Sequence, residues 1–200
     1  MHPAPVYLQP DEATLLAQLS RQPFCLIAAS IKGAPMIAHA PMTVTREEGQ
    51  LSLEFHISAR NPLAGLIAEG FEAVIVSLGP DAYVSPDWYG TPEQVPTWAY
   101  ISVEAQGWVS PMGSDDTLAQ LIDLSAQMEA TLAPKPAWTL DKLSAKRLET
   151  LQRGIVGGRM SVSRFEGTYK LMQAKSADER VGVLAGLARH TIAERIEAGV

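Results

Sequence analysis

A chain of 200 residues can bury a proper hydrophobic core as one large domain or two small ones, and 46% apolar with 19% charged residues is the composition of a soluble globular protein. Its net charge of −6, with no block of Lys and Arg, offers no electrostatic attraction to a phosphate backbone and gives DNA binding no support. The single cysteine, Cys25, rules out an intramolecular disulfide and points to a reducing, cytoplasmic setting. No apolar stretch approaches the roughly 18 residues of a membrane span. The start, Met1-His2-Pro3-Ala4-Pro5, lacks the basic and apolar regions of a signal peptide.

In chain order, Asp11 caps a short helix carrying Leu15, Leu16 and Leu19 on one face. Strand patterns follow at 24–30 and 36–44, joined by a hairpin-like turn at Lys32-Gly33. Cys25 lies within the first of them, in an apolar run with no flanking cation, as a buried strand residue rather than a reactive thiol. A third strand covers 51–57. It leads into Ser58-Ala59-Arg60, a polar turn, and a helix with Asn61 as N-cap and Pro62 at its first position, ending near Gly70. The run 73–78 reads as a central strand closed by Gly79-Pro80. Residues 81–109 hold three tryptophans and two more strands. Ser114 opens a longer amphipathic helix that Pro134 and Pro136 end, and a second helix covers 144–153. Strands at 159–164 and 169–173 flank a turn at Glu166-Gly167, and Ser176 to Glu179 form the capping box of a last helix.

Six or seven short strands with regularly spaced turn signals predict a mainly β, α+β chain. A single barrel domain is expected over 1–200, with helical additions around 114–153 and 176–198. The familiar catalytic and nucleotide-binding motifs are absent: there is no GxGxxG, no phosphate-loop lysine, no HExxH and no paired-cysteine spacing. His56 and Ser58 share a strand face, but no orienting acid or elbow motif accompanies them.

Six stretches together resemble one family. They are AHAPM (38–42), FHISARNP (55–62), GPDAYVSPDWYG (79–90), VPTWAY (95–100), WTLDKL (138–143) and EGTYKLMQAKSADERVGVLAGL (166–187). In order and near-spacing they are similar to the PaiB-like FMN-binding negative transcriptional regulators. That resemblance implies an FMN-binding split β-barrel with a helical C-terminal part, built as a homodimer with the flavin between subunits. It places the FMN phosphate at Ser58, Arg60 and Asn61, with His56 and Ile57 on the strand leading there. The strand at His39, Ala40 and Pro41 would run beside the isoalloxazine ring. Trp88 or Trp98 would cover a ring face or serve in the core, and Gln173 and Lys175 would add hydrogen bonds and charge.

The chain departs from the family pattern at Ala59, Ala99, Glu104 and Ala174, and Gly158-Arg159 replaces the usual Phe-Glu. Two functional expectations follow from the resemblance: a transcriptional regulator or a weak flavin-dependent oxidoreductase. The alternative is a flavin-free or haem-binding module of the same fold, with His39 or His56 as axial ligand. Direct DNA contact rests on the family's regulatory role alone.

Overall fold

Alternation sets the strands. Along Phe24–Ile31 (β2), Cys25, Ile27 and Ala29 are buried while their neighbours face outward, and along Ala34–Glu47 (β3) Ala38, Ala40 and Met42 repeat the pattern. The computed structural model describes residues 2–31 and 33–199. Met1, Lys32 and Val200 lie outside the described residues, and with Lys32 half of the expected Lys32-Gly33 turn.

The remaining strands are Leu8–Gln9 (β1), Gln50–Ser58 (β4), Phe71–Val84 (β5), Thr97–Pro111 (β6) and Ile155–Lys170 (β7). The helices are Glu12–Arg21 (α1), Ala64–Ile67 (α2), Ser114–Ala130 (α3), Ala145–Gln152 (α4), Ala177–Gly186 (α5) and Ile192–Ala198 (α6). The strands pair in the order β1-β7-β4-β3-β2-β5-β6, and β6 also pairs with β7. The ring of pairings therefore closes on six strands with β1 added at β7, a barrel topology that leaves those six without a free edge.

Two turns expected from the sequence are strand interior. β5 runs straight through Gly79-Pro80, because its ladder with β2 ends at Leu26↔Val76 and a proline beyond that point costs no hydrogen bond to β2. β7 is one 16-residue strand through Glu166-Gly167. Gly167 pairs with Gln9, and a Cβ there would lie 2.4 Å from the Leu15 side chain, so this glycine admits α1 rather than a turn. The helix expected from Asn61 to Gly70 shrinks to α2. Asn61 Oδ1 accepts from the Leu63 N–H at 2.9 Å, closing a turn first, and Gly70, at φ +75°, terminates the helix.

The residues group into two compact units. One holds 19–77 and 105–165. Its core gathers Leu19, Ile27, Met42, Leu53, Phe55, Ile67 and Met160, and Cys25 is buried among them. Burial pushes that thiol up to about 12, which makes it inert as a nucleophile. The other unit holds the residues up to Gln18, Leu78–Glu104 and those from Glu166 onward. There, Ser176 Oγ accepts from the Glu179 N–H while the Glu179 carboxylate accepts from the Ser176 N–H, the expected capping box at the start of α5.

Candidate functional site

The turn from β4 into α2 is built by its own backbone. Ala59 N–H donates to Gly154 O at 2.9 Å, Asn61 N–H to Ser58 O at 2.8 Å, and Arg60 N–H to Ser58 Oγ at 3.3 Å. With Leu63 N–H held by Asn61 Oδ1 and Ala64 N–H by Asn61 O, the amides of this turn are spent internally. A four-residue helix also has little dipole to offer. What the turn presents outward is side chain. The Arg60 guanidinium is exposed and has no carboxylate partner among the described residues, and the Ser58 hydroxyl keeps its proton to donate. An anion held here is held by side chains.

β3 supplies the neighbouring surface. His39 and Pro41 face outward, His39 exposed, and the imidazole stacks on Phe24 with centroids 5.9 Å apart at 22°. Phe24, 66% exposed, and Ile37, 60% exposed, add apolar side chains to this outward face. Ala40 and Ile57 point into the core and offer a ligand only backbone. His56 is half-buried, its Nδ1 2.8 Å from Oε1 of Gln120 on α3. Gln120 Nε2 is buried without a partner, so the amide is held by the histidine alone. The sequence held no signal for this pair, because 64 residues separate its members.

Two departures from the family pattern have local causes. Glu54, 5% exposed, pairs with Arg159 directly across the β4–β7 ladder, Nε to Oε1 at 2.8 Å, so that arginine's charge is engaged in the sheet. Its neighbour Gly158 lies across from Phe55, whose ring would stand 2.7 Å from a Cβ added there. Arginine and glycine at these places suit the Glu54 and Phe55 opposite them. Ala99 is fully buried in β6, while Ala59 and Ala174 are exposed and Glu104 half-buried.

The other expected site residues lie in the second unit. Trp88 packs on α5: a Cβ on Gly186 would meet its ring at 2.4 Å. Trp98 donates Nε1–H to Asp81 Oδ1 at 2.7 Å and meets Tyr83 edge-on, its ring half exposed. The Gln173 amide braces its own turn, accepting from Leu171 N–H at 2.8 Å and donating to Tyr169 O. Lys175 lines a pocket with Lys170, Tyr7, Tyr89 and Thr97. Sequence reading missed these four, since only the lysine pair flanking one short turn carried any signal. Among the described residues no three His, Cys, Asp or Glu side chains gather as a metal site, and no helix is long and apolar enough to cross a membrane.

Residues 1–164 match the model of a family described as "Putative FMN-binding domain". The chain belongs to this FMN-binding family. Among relatives, it is 28% identical over 164 residues to the protease synthase and sporulation protein PAI 2 of Bacillus subtilis, covering 82% of this chain and 78% of that one. It is 26% identical over 215 residues to an uncharacterized protein of Emericella nidulans, covering 88% and 86%. In fold it is similar to the FAD and heme binding protein from Mycobacterium smegmatis, with a TM-score of 0.61 at 17% identity over 90% of this chain and 80% of that one. The flavocytochrome Anf3 from Azotobacter vinelandii gives 0.58 at 12% identity, over 84% and 72%. The FMN-binding family chain thus has the α+β split-barrel fold of flavin-binding proteins.

Proposed function

We propose that this chain binds FMN on the outward face of β3 and at the β4–α2 turn, as a homodimer. The observation that carries the reading is the Arg60 guanidinium, exposed and without a carboxylate partner among the described residues, on the turn that also carries the Ser58 hydroxyl, in a chain whose first 164 residues match an FMN-binding model. The donor set fits the cofactor. Arg60 and Ser58 would hold the phosphate through charge-assisted hydrogen bonds. His39 and Pro41 would lie beside the flat ring, for which the apolar face with Phe24 and Ile37 is a suitable surface. When bound, the flavin would supply the electron-transfer chemistry, and the protein its position and electrostatics.

The dimer belongs to the same reading. Phe24 and Ile37 are large apolar side chains facing water, and a second copy would cover them. In the cell we assign the protein a regulatory role that follows flavin occupancy, with weak oxidoreductase turnover as the competing role. The name of the Bacillus subtilis relative, which concerns protease synthesis and sporulation, supports the first. With a net charge of −6, contact with DNA would have to run through a dimer surface or a partner protein. Bleaching of the flavin band by NADH would favour the oxidoreductase, and an unchanged band the regulator.

A haem-binding role is the second reading. His39 favours it: its exposed imidazole makes no hydrogen bond among the described residues and is available as an axial ligand. The visible spectrum of the purified protein, followed by titration with FMN, separates the readings. Flavin bands or saturable FMN binding are expected. A Soret band supports haem, and a colourless protein that ignores added FMN overturns the flavin reading.

A further inference from the structure

Five residues distant in sequence converge on a cavity of about 150 Å³: Tyr7, Tyr89, Thr97, Lys170 and Lys175. The family resemblance gives Lys175 to the flavin, but the flavin reading at β3 and the β4–α2 turn does not use it. Lys170 Nζ donates to Thr97 Oγ1 at 2.6 Å and stands 5.8 Å from the Tyr7 ring centroid. Lys175 Nζ lies 4.1 Å from the Tyr89 ring centroid and donates to Gln94 Oε1 at 2.6 Å. Two ammonium groups thus flank one small space with aromatic walls.

Their charge is not balanced. Glu179 is the carboxylate near Lys175, at 3.9 Å, beyond good hydrogen-bonding distance. It is already engaged by the Ser176 N–H, the Thr91 hydroxyl and Gln94 Nε2. The Ser176 backbone first, then the Ser176 and Thr91 hydroxyls and the Lys175 charge, hold its carboxyl below the usual range, so one carboxylate faces two ammonium groups. Lys170 has no carboxylate partner among the described residues, although it is half-buried. Each ammonium carries three donors, and the protein contacts leave Lys170 with two of them unspent. In a chain of net charge −6, a half-buried cation without a counter-ion is a local feature, not part of a basic surface.

The turn that sets the two lysines is itself constrained. Met172, between them, adopts φ +64°, a left-handed conformation that costs a non-glycine residue free energy. Gln173 braces it by bonding the backbone ahead of it, accepting from Leu171 N–H and donating to Tyr169 O, and Lys175 N–H closes the turn onto Met172 O at 3.0 Å. The Tyr89 hydroxyl is turned to Met172 Sδ at 3.6 Å, and burial, then the Glu179 carboxylate, push its phenol up, so it stays neutral and adds no charge of its own.

We infer that this pocket binds the anionic end of a small ring compound, a carboxylate or a phosphate monoester, with Lys170 and Lys175 on the anion and Tyr7 and Tyr89 against the ring. The volume admits a single ring or the end of a larger molecule, since pockets for whole drug-sized ligands are about 300 Å³ or more. The pocket is separate from the flavin reading, and its test uses protein free of flavin. Isothermal titration of the full chain with benzoate and with phenyl phosphate tests it, with benzyl alcohol as the neutral analogue.

At least one of the two anions is expected to saturate in the micromolar to millimolar range, and benzyl alcohol to bind at least tenfold more weakly. Lys170→Met and Lys175→Met should each weaken the anion at least tenfold while the unfolding midpoint stays within the error of wild type. A preference for benzoate assigns a carboxylate ligand, and one for phenyl phosphate a phosphate ester. No saturable binding of either anion overturns the inference, as does unchanged affinity in Lys170→Met. Should a lysine variant unfold, Thr97→Val replaces it, and unchanged anion affinity there overturns the placement of Lys170.

Discussion

Arg60 follows Ala59, where the chain departs from the pattern of the family it resembles, and on an extended or turning chain one residue decides which way a side chain points. In the structure it is nevertheless the side chain left free at the turn, because the amides around it are consumed by Ser58, Asn61 and Gly154. A charge-assisted contact to a phosphate contributes about 1.5 to 3 kcal/mol. Arg60→Ala should therefore weaken FMN binding by about ten- to hundredfold, read by quenching of flavin fluorescence. Folding should change little, since the side chain is solvated. Equal affinity in wild type and variant would leave Arg60 as a turn residue with no part in the site. Arg159 shows the opposite case: a charge that looks available in the sequence is committed to Glu54 across the sheet.

At the scale of elements, α5 and the short 3-10 turn Pro86–Tyr89 decide each other's positions through two glycines. A Cβ on Gly182 would lie 2.0 Å from the Trp88 carbonyl oxygen, and one on Gly186 would enter the Trp88 ring. At an open helix position, replacing glycine by alanine stabilises by about 1 kcal/mol. At Gly182 the sign should reverse, because backbone cannot yield as a flexible side chain can, and overpacking costs about 1 to 3 kcal/mol. Gly182→Ala is thus expected to lower the urea midpoint, and a raised midpoint would show that α5 does not pack on Trp88 this closely. The same logic explains Gly167, which admits Leu15, and Gly158, which admits Phe55.

For the whole molecule, the exposed pair Phe24 and Ile37 bears on assembly. Stable interfaces bury roughly 1,600 Å² in total, with an apolar centre. Light scattering at micromolar concentration should report about twice the 21.6 kDa chain mass, and Ile37→Glu, which puts a charge on the proposed seam, should return the monomer. A monomeric wild type would remove the dimer and leave the apolar face without a partner in this reading.

Period and punctuation in the chain determined much of the fold. Apolar runs and alternation marked β2, β3 and β4, and Asp11, Ser144 and the Ser176–Glu179 capping box marked the starts of α1, α4 and α5, because these signals act over a few neighbouring residues. The helical addition expected over 176–198 is instead two helices, α5 ending at Gly186 and α6 beginning at Ile192. Six motifs in order marked the family, and the match over residues 1–164, which spans the first five, bears the family out. Gly79-Pro80 and Glu166-Gly167 looked like turns and are strand, since a glycine's part depends on what packs against it: Gln18 and Ile101 at Gly79, Leu15 at Gly167. The pocket of Tyr7, Tyr89, Thr97, Lys170 and Lys175, the His56–Gln120 pair and the Ala59–Gly154 bond beside Arg60 were decided by tertiary structure alone. Each joins groups far apart in the chain or depends on which hydrogen bonds are already taken, and neither leaves a periodic trace in the sequence.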